Sequence, residues 1–389
     1  MAVRRTRIGA VGLVTAALTA ASFTSPVAAD QSAVEGSGLG HARTRAAMDA
    51  AVRAGVPGVA GQVKDAYSLW PAAAGVGNLG TGAPRSAFDR YRVGSMTKTF
   101  VATVLLQLEA EGRIGLDSTV DTWLPGVVRG NGNDGRRISV RQLLNHTSGV
   151  PSYTADPEFL ERGFTEEFLE HRYDTYTPAQ LVGIALRQKP LFDPGTSWSY
   201  SNTNYILAGM IIEKVTGRSF EDEIKQRIIR PLGLYATSVP RTASSMPAPS
   251  SRAYSRLSLT PQPTGPAYDV TELNPSAAGS AGAVISDSGD LNHFYSALLG
   301  GTLLPAAQLK EMKTTVPVSG AGLITAYGLG LMKFSPSCGV TVWGHGGNIQ
   351  GSASQAVTTT DGKHSLAFNF NGDWSGDSQA VIEAEYCPK

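Results

Sequence analysis

Ser95 and Lys98 form the pairing in this chain best suited to chemistry. They stand in Gly94-Ser95-Met96-Thr97-Lys98, ahead of an apolar run that ends at Leu108. Met96, Phe100, Val101, Val104, Leu105 and Leu108 recur at helical spacing, which puts Ser95 at a helix N-terminus and Lys98 one turn on. Residues i and i+3 share a helix face with Cβ atoms about 5–6 Å apart, so the amine can reach the hydroxyl. A serine beside a lysine on a largely apolar helix suits a Ser–Lys nucleophile. Burial and the positive end of the helix dipole both disfavour the ammonium, pushing Lys98 toward a neutral base. Ser-x-x-Lys alone also describes the polar first turn of an exposed helix. Here, however, no other lysine has a serine three residues before it.

Two further stretches supply groups that would complete such a site. Tyr200-Ser201-Asn202 is the only Tyr-x-Asn in the chain and lies on a turn entering a helix. A phenol near a lysine can have its pKa lowered enough to act as base and then acid. The Asn202 amide can hold Lys98 and bind a substrate carbonyl. Gly344-His345-Gly346-Gly347-Asn348 reads as a glycine-rich strand edge, where Gly346 and Gly347 admit a substrate backbone. His345 would face the site as a positive or hydrogen-bonding group. The Asn348 N–H would pair with that of Ser95 as an oxyanion hole. An α/β-hydrolase fits less well: its nearest G-x-S-x-G, Ala278-Gly279-Ser280-Ala281-Gly282, begins with alanine, and His345-Gly346-Gly347 follows the nucleophile instead of preceding it. His146, beside Thr147, Ser148 and Gly149, reads as bonding a turn.

The elements that must position these residues follow from patterning. An amphipathic helix at 43–54 and strands at 58–67 and 68–79 precede the Ser95 helix. The middle is helical, with segments at 138–145, 177–188, 205–215 and 220–229. Strands return at 327–332, 339–343, 354–360 and 365–371, and a helix closes at 378–386. The sheet region is thus about 30–94 and 277–389, the mainly helical region about 95–276, and 30–389 makes a single serine hydrolase domain. The stretch 240–266, rich in Pro, Ser, Thr and Ala, reads as a surface excursion.

Residues 1–29 read as a signal peptide: Arg4, Arg5 and Arg7, then an apolar stretch too short to span a bilayer, then cleavage near Ala29. The expected product is secreted, extracellular and without a membrane anchor. Removing that segment leaves a net charge near −2, which gives no support for a nucleic-acid partner. Cys338 and Cys387 are the only cysteines, and an isolated pair in a secreted protein is expected to form a disulfide.

Ser95-x-x-Lys98, Tyr200-x-Asn202 and His345-Gly346-Gly347, in this order, resemble the three motifs of penicillin-recognising serine enzymes. The chain is most similar to the soluble, secreted D-alanyl-D-alanine carboxypeptidases related to class C β-lactamases. Arg92-Val93-Gly94-Ser95, Asn145-His146-Thr147-Ser148-Gly149 and Tyr327-Gly328-Leu329-Gly330-Leu331 extend the likeness over almost all of the mature chain. The resemblance implies an α+β fold of the β-lactamase/transpeptidase type: an antiparallel sheet of five or more strands, flanked by helices, plus a mainly helical subdomain. It implies an acyl-enzyme on Ser95, with Lys98 and Tyr200 moving protons, and needs no metal or other cofactor. Expected partners are a peptidoglycan-type peptide or other small acyl substrate and β-lactam antibiotics, bound by a monomer.

The chain departs from the carboxypeptidase pattern. Those enzymes flank the second strand glycine with threonines and hold the peptide's terminal carboxylate with a nearby arginine. Here the threonine positions are Gly346 and Asn348, and the matching strand carries Met332, with Lys333 next door. Since adjacent strand residues face opposite sides, Lys333 is not expected to substitute. Three functions follow: a D,D-peptidase that binds penicillin; a sister hydrolase (esterase, D-aminopeptidase or amidase, weak β-lactamase); or a non-catalytic binding protein, disfavoured by the intact motifs.

Overall fold

The computed structural model describes residues 41–260 and 263–387, all within one compact unit. The proposed signal peptide and its cleavage point lie outside the described residues. The helices that matter here are α1 (Ala42–Arg53), α2 (Thr97–Ala110), α3 (Val140–Leu144), α4 (Pro157–Phe164), α5 (Phe168–His171), α6 (Pro178–Ala185), α7 (Asn202–Thr216), α8 (Ser288–Leu299) and α9 (Ser378–Tyr386). Two strands come early, β1 (Gly58–Lys64) and β2 (Leu69–Gly75). Six come late: β3 (Val316–Ala321), β4 (Ile324–Tyr327), β5 (Met332–Phe334), β6 (Val342–Ile349), β7 (Ser352–Thr359) and β8 (Ser365–Phe370).

These eight strands form one sheet in the order β2-β1-β8-β7-β6-β5-β4-β3, with every pairing antiparallel. The expected antiparallel sheet with flanking helices is therefore present, with eight strands. Strand β8 is buried along its whole length because both faces are covered. On one face Met48, Val381 and Ile382 from α1 and α9 pack against Phe368 and Phe370. On the other, α8 and α2 meet the sheet, and the rings of Phe100 and Phe294 stack at 3.8 Å. Truncating a buried phenylalanine of this kind costs about 3–5 kcal/mol. Cys338 and Cys387 are bonded, with Cα atoms 5.5 Å apart, and tie the end of α9 to the middle of the β5–β6 connection.

Helix α2 is the hub. All its residues from Thr97 to Leu106, and Leu108, are buried, so its apolar character continues around the helix instead of forming one stripe. Its buried hydroxyls are satisfied locally: Thr99 Oγ1 donates to the Gly330 carbonyl at 2.7 Å and Thr103 Oγ1 to the Thr99 carbonyl at 2.7 Å. The expected strand over 327–332 is instead a tight connection between β4 and β5. Gly330 has φ +68° there, and a β-carbon would come within 2.6 Å of Ala102 Cβ and 2.9 Å of the Lys98 carbonyl oxygen. Close approach to α2 decides that conformation, which strand propensity alone did not reveal.

Candidate active site

Ser95 is presented by a single turn, Gly94–Met96, that runs directly into α2. Gly94 has φ +53°, a left-handed conformation costing roughly 1–2 kcal/mol for a residue with a β-carbon. The Asn348 backbone would also lie only 2.9 Å from such a β-carbon. The turn therefore depends on glycine for both its conformation and its contact with β6.

Lys98 is wholly buried. Its Nζ lies 2.9 Å from Ser95 Oγ, 2.8 Å from Asn202 Oδ1 and 2.8 Å from the Ala281 carbonyl oxygen. The amide and carbonyl oxygens only accept, so they take two N–H bonds. Charge decides the third contact, since an ammonium would donate to the serine whereas an amine receives its proton. Burial holds Lys98 well below its ordinary pKa, which favours the amine, with the Ser95 hydroxyl donating to it. A hydroxyl and an amine suited to act as nucleophile and base are thus in contact.

Tyr200 departs from the sequence expectation. Burial raises its pKa above the ordinary phenol value, and the nearby Ser95 hydroxyl offsets only part of that rise. Lys98 Nζ sits over the phenol ring, 4.9 Å from its centroid, and an uncharged amine there does not stabilise a phenolate. Tyr200 is therefore a protonated phenol in the resting site, its buried oxygen beside the Ser95 hydroxyl. It is suited to donating a proton, and the Lys98 amine to accepting one.

Asn202 begins α7. Its backbone N–H donates to Ser152 Oγ at 3.1 Å, and its Nδ2 donates to Thr154 Oγ1 at 3.1 Å, which leaves Oδ1 turned to Lys98. His146 holds the preceding turn, as expected of it. It has φ +63°, and its Nδ1 accepts from the Ser201 N–H and Asn204 Nδ2, each at 3.2 Å. Its ring packs 4.2 Å from that of Tyr200. Burial first, then Lys98 and His345, keep His146 well below its usual pKa, so it is neutral.

His345 is likewise neutral, which removes the cationic option for it. Burial, then Lys98, hold it at about 3. Its Nδ1 donates to the Gly346 carbonyl at 2.5 Å and its Nε2 accepts from the Tyr327 hydroxyl at 2.8 Å. It therefore forms part of an aromatic floor with Tyr327 and Tyr200. Strand β5 pairs with β6 only as far as Gly344, so from His345 onward that edge of β6 lies free of β5, against the Ser95 turn. A β-carbon on Gly347 would strike the Val93 carbonyl oxygen and lie 2.9 Å from the Ser95 nitrogen. A β-carbon on Gly346 would instead meet the Gln355 carboxamide at 2.8 Å. Close packing on the nucleophile's turn thus requires glycine at 347, while at 346 only a flexible side chain stands in the way.

Met332 packs in the apolar cluster under α1 and α9, away from the catalytic groups. Lys333 lies opposite Trp343, on the face His345 shares, but neither residue lines the cleft. The cleft beside Ser95 holds about 120 Å³, and its walls include Tyr153, Phe159, Phe168 and Leu273 together with Asn202 and Asn348. The aromatic and leucine walls, and the Ala281 carbonyl that binds Lys98, were not foreseen from sequence. A backbone carbonyl leaves no residue signature, and α4 and α5 are too short to show a period.

The profile of the Beta-lactamase family matches residues 41–384, and the chain belongs to that family, within the penicillin-recognising serine hydrolase superfamily. A D-stereospecific amidohydrolase from Streptomyces sp. is 60% identical, with a TM-score of 0.85 over 89% of this chain and 98% of that one. The D-amino acid amidase of Ochrobactrum anthropi SV3, in complex with D-phenylalanine, is 26% identical, with a TM-score of 0.77 over 88% of this chain and 97% of that one. Penicillin-binding protein 4* of Bacillus subtilis is 27% identical over 77% of this chain, which spans only 65% of that relative's length.

Proposed function

We propose that the protein hydrolyses amide and ester bonds of D-aminoacyl compounds through an acyl-enzyme on Ser95. The observation that carries this reading is the lack of a strand cation at the cleft: Met332 faces away, Lys333 does not line it and His345 is neutral. A terminal carboxylate thus loses its expected anchor on that side, while the aromatic walls suit an apolar acyl side chain. The 60% identity to a D-stereospecific amidohydrolase supports the same reading.

In this mechanism Ser95 Oγ attacks the substrate carbonyl carbon as its proton passes to Lys98 Nζ. The carbonyl oxygen becomes an oxyanion held by the Ser95 and Asn348 N–H groups, which fixed donors stabilise more in the transition state than in the ground state. Tyr200 donates to the leaving nitrogen and is reprotonated from Lys98, and the C–N bond breaks. Water then attacks the acyl-serine, giving its proton to Lys98, and the acid leaves as Ser95 regains its hydrogen. Asn202 holds Lys98 throughout and turns its amide toward the acyl carbonyl.

A D-alanyl-D-alanine carboxypeptidase that binds penicillin is the second reading, favoured by the penicillin-binding relatives and by Arg162 and Arg172 on the cleft's far rim. Comparing kcat/KM for a D-phenylalanine amide, its L-enantiomer and a D-Ala-D-Ala peptide with its C-terminal amide separates the two. The D-amide should be preferred over the L-form, and the peptide amide should match the free acid. A strong preference for the free acid would instead establish the carboxypeptidase. Exported, cleaved and monomeric states complete the proposal; N-terminal sequencing and light scattering of the protein from culture medium test them.

A further inference from the structure

A second, smaller cavity of about 20 Å³ lies behind the Ser95 turn, next to the β6–β7 hairpin. Its lining includes Arg85, Arg90, Arg92 and Arg252, and no aspartate or glutamate. Arg85 and Arg92 are each only 5% exposed. Arg85 Nη2 donates to Asn369 Oδ1 at 2.7 Å, and its Nε lies 3.3 Å from Asp89 Oδ2. Arg92 Nη2 donates to the carbonyls of Ser244 and Leu273 at 2.7 and 3.1 Å. Arg92 has no ion-pair partner among the described residues; the acidic group acting on it is the exposed Glu272.

Nη1 of both arginines and Nε of Arg92 are buried without a hydrogen-bond partner, and Arg85 Nε has only its ion pair with Asp89, against one orphan acceptor in the same lining, Asn371 Oδ1. Buried donors left unmade cost roughly 1–3 kcal/mol each, more when charged, and a guanidinium does not discharge readily as an amine does. Burial lowers both groups, but only to about 10, so both stay cationic at neutral pH. Asp89 offsets the charge of Arg85, whereas water can occupy the donors of Arg92 but cannot cancel its charge.

We propose that Arg85 and Arg92 bind a single halide-sized anion, such as chloride, in this cavity. The volume sets the size. One water-sized particle needs about 10–15 Å³ by the same measure, so a monatomic ion fits where a tetrahedral oxyanion does not. The site is wired to the nucleophile: the Arg92 carbonyl accepts from Ser352 Oγ at 2.7 Å, and Asn369 Nδ2 donates to the same hydroxyl at 2.7 Å. Leu273, held by the Arg92 guanidinium, lines the catalytic cleft, and Gln350 borders both cavities. Anion occupancy thus braces the segment leading into Ser95.

Two measurements test the site. At constant ionic strength, replacing gluconate by chloride or bromide should raise Tm saturably, by roughly 3–4 °C at a hundredfold excess over Kd. Crystals grown in bromide should show an anomalous peak between the two guanidinium groups. Arg92→Lys should flatten the halide dependence; a variant that keeps the full saturable shift would remove Arg92 from the site. Should that variant fail to fold, the bromide map of the unmodified protein decides. Water density without an anomalous peak, or equal Tm shifts from gluconate and halide, would overturn the proposal.

Discussion

Arg92 and Lys98 flank the Ser95 turn, and both are buried cations without a carboxylate in contact. They meet the same cost in opposite ways. Lys98 surrenders its proton, because an ordinary ammonium pKa is near enough to neutrality for burial to discharge it. Arg92 keeps its charge and leaves N–H groups open for an anion. Under the same burial, residue type decides which of the two can discharge. A third buried cluster, on the opposite face of the sheet, shows the remaining solution. There Glu385 accepts from Thr44 and His364 at 2.6 Å each and from His41 at 3.1 Å, so the charge is compensated from within.

The sharpest way to break the contrast is to give position 98 a cation that cannot discharge. Lys98→Arg should lower kcat/KM by about 10³–10⁴-fold, because the general base is lost while the positive charge remains. A variant with near-normal kcat/KM would mean that Lys98 does not act as the neutral base. Gly347→Ala tests geometry without touching charge. Its β-carbon would drive β6 off the Ser95 turn and separate the two proposed oxyanion donors, for an expected loss of about 10²–10³-fold.

The internally compensated cluster should respond in stability instead of rate. Glu385→Gln should cost about 3 kcal/mol in urea unfolding at pH 7, since removing one member of a buried charged network exposes the others. Burial alone would raise the Glu385 pKa, but the bonds from His364 and Thr44 and the charges of His41 and His364 outweigh it, so it lies below its ordinary value. Its contribution is therefore present above the usual carboxylate range and is lost as pH falls through the depressed value. The variant's deficit should shrink at acid pH; a deficit that stays constant would show that ionisation is not its source.

The smallest effect sought is the shape of a pH profile. kcat/KM should fall on the acid side as Lys98 takes up a proton, below the ordinary ammonium range. It should then stay level to about pH 10, because the raised pKa of Tyr200 keeps the phenol protonated. His146 and His345, both held down, contribute no limb near pH 6.5. An alkaline limb near pH 8 would show that a protonated lysine or an ionised phenol is part of the working state.

The chemistry of this protein was legible where it depends on residue type at fixed local spacing. Helical periodicity behind Ser95 placed Lys98 on the same face, and Tyr200-Ser201-Asn202 and His345-Gly346-Gly347 brought the likeness into register. What periodicity missed depends on contacts between distant segments. The bend at Gly328–Leu331 follows from packing against α2, and the Ala281 carbonyl reaches Lys98 only because the chain returns past α2. Burial had the most far-reaching consequence. The sequence puts a phenol, two histidines, a lysine and an arginine within reach of one turn, but their protonation depends on how completely the folded chain excludes water. Only the tertiary structure decided that Lys98 is pushed toward the neutral amine, that Tyr200 keeps its proton and that Arg92 is left with open donors.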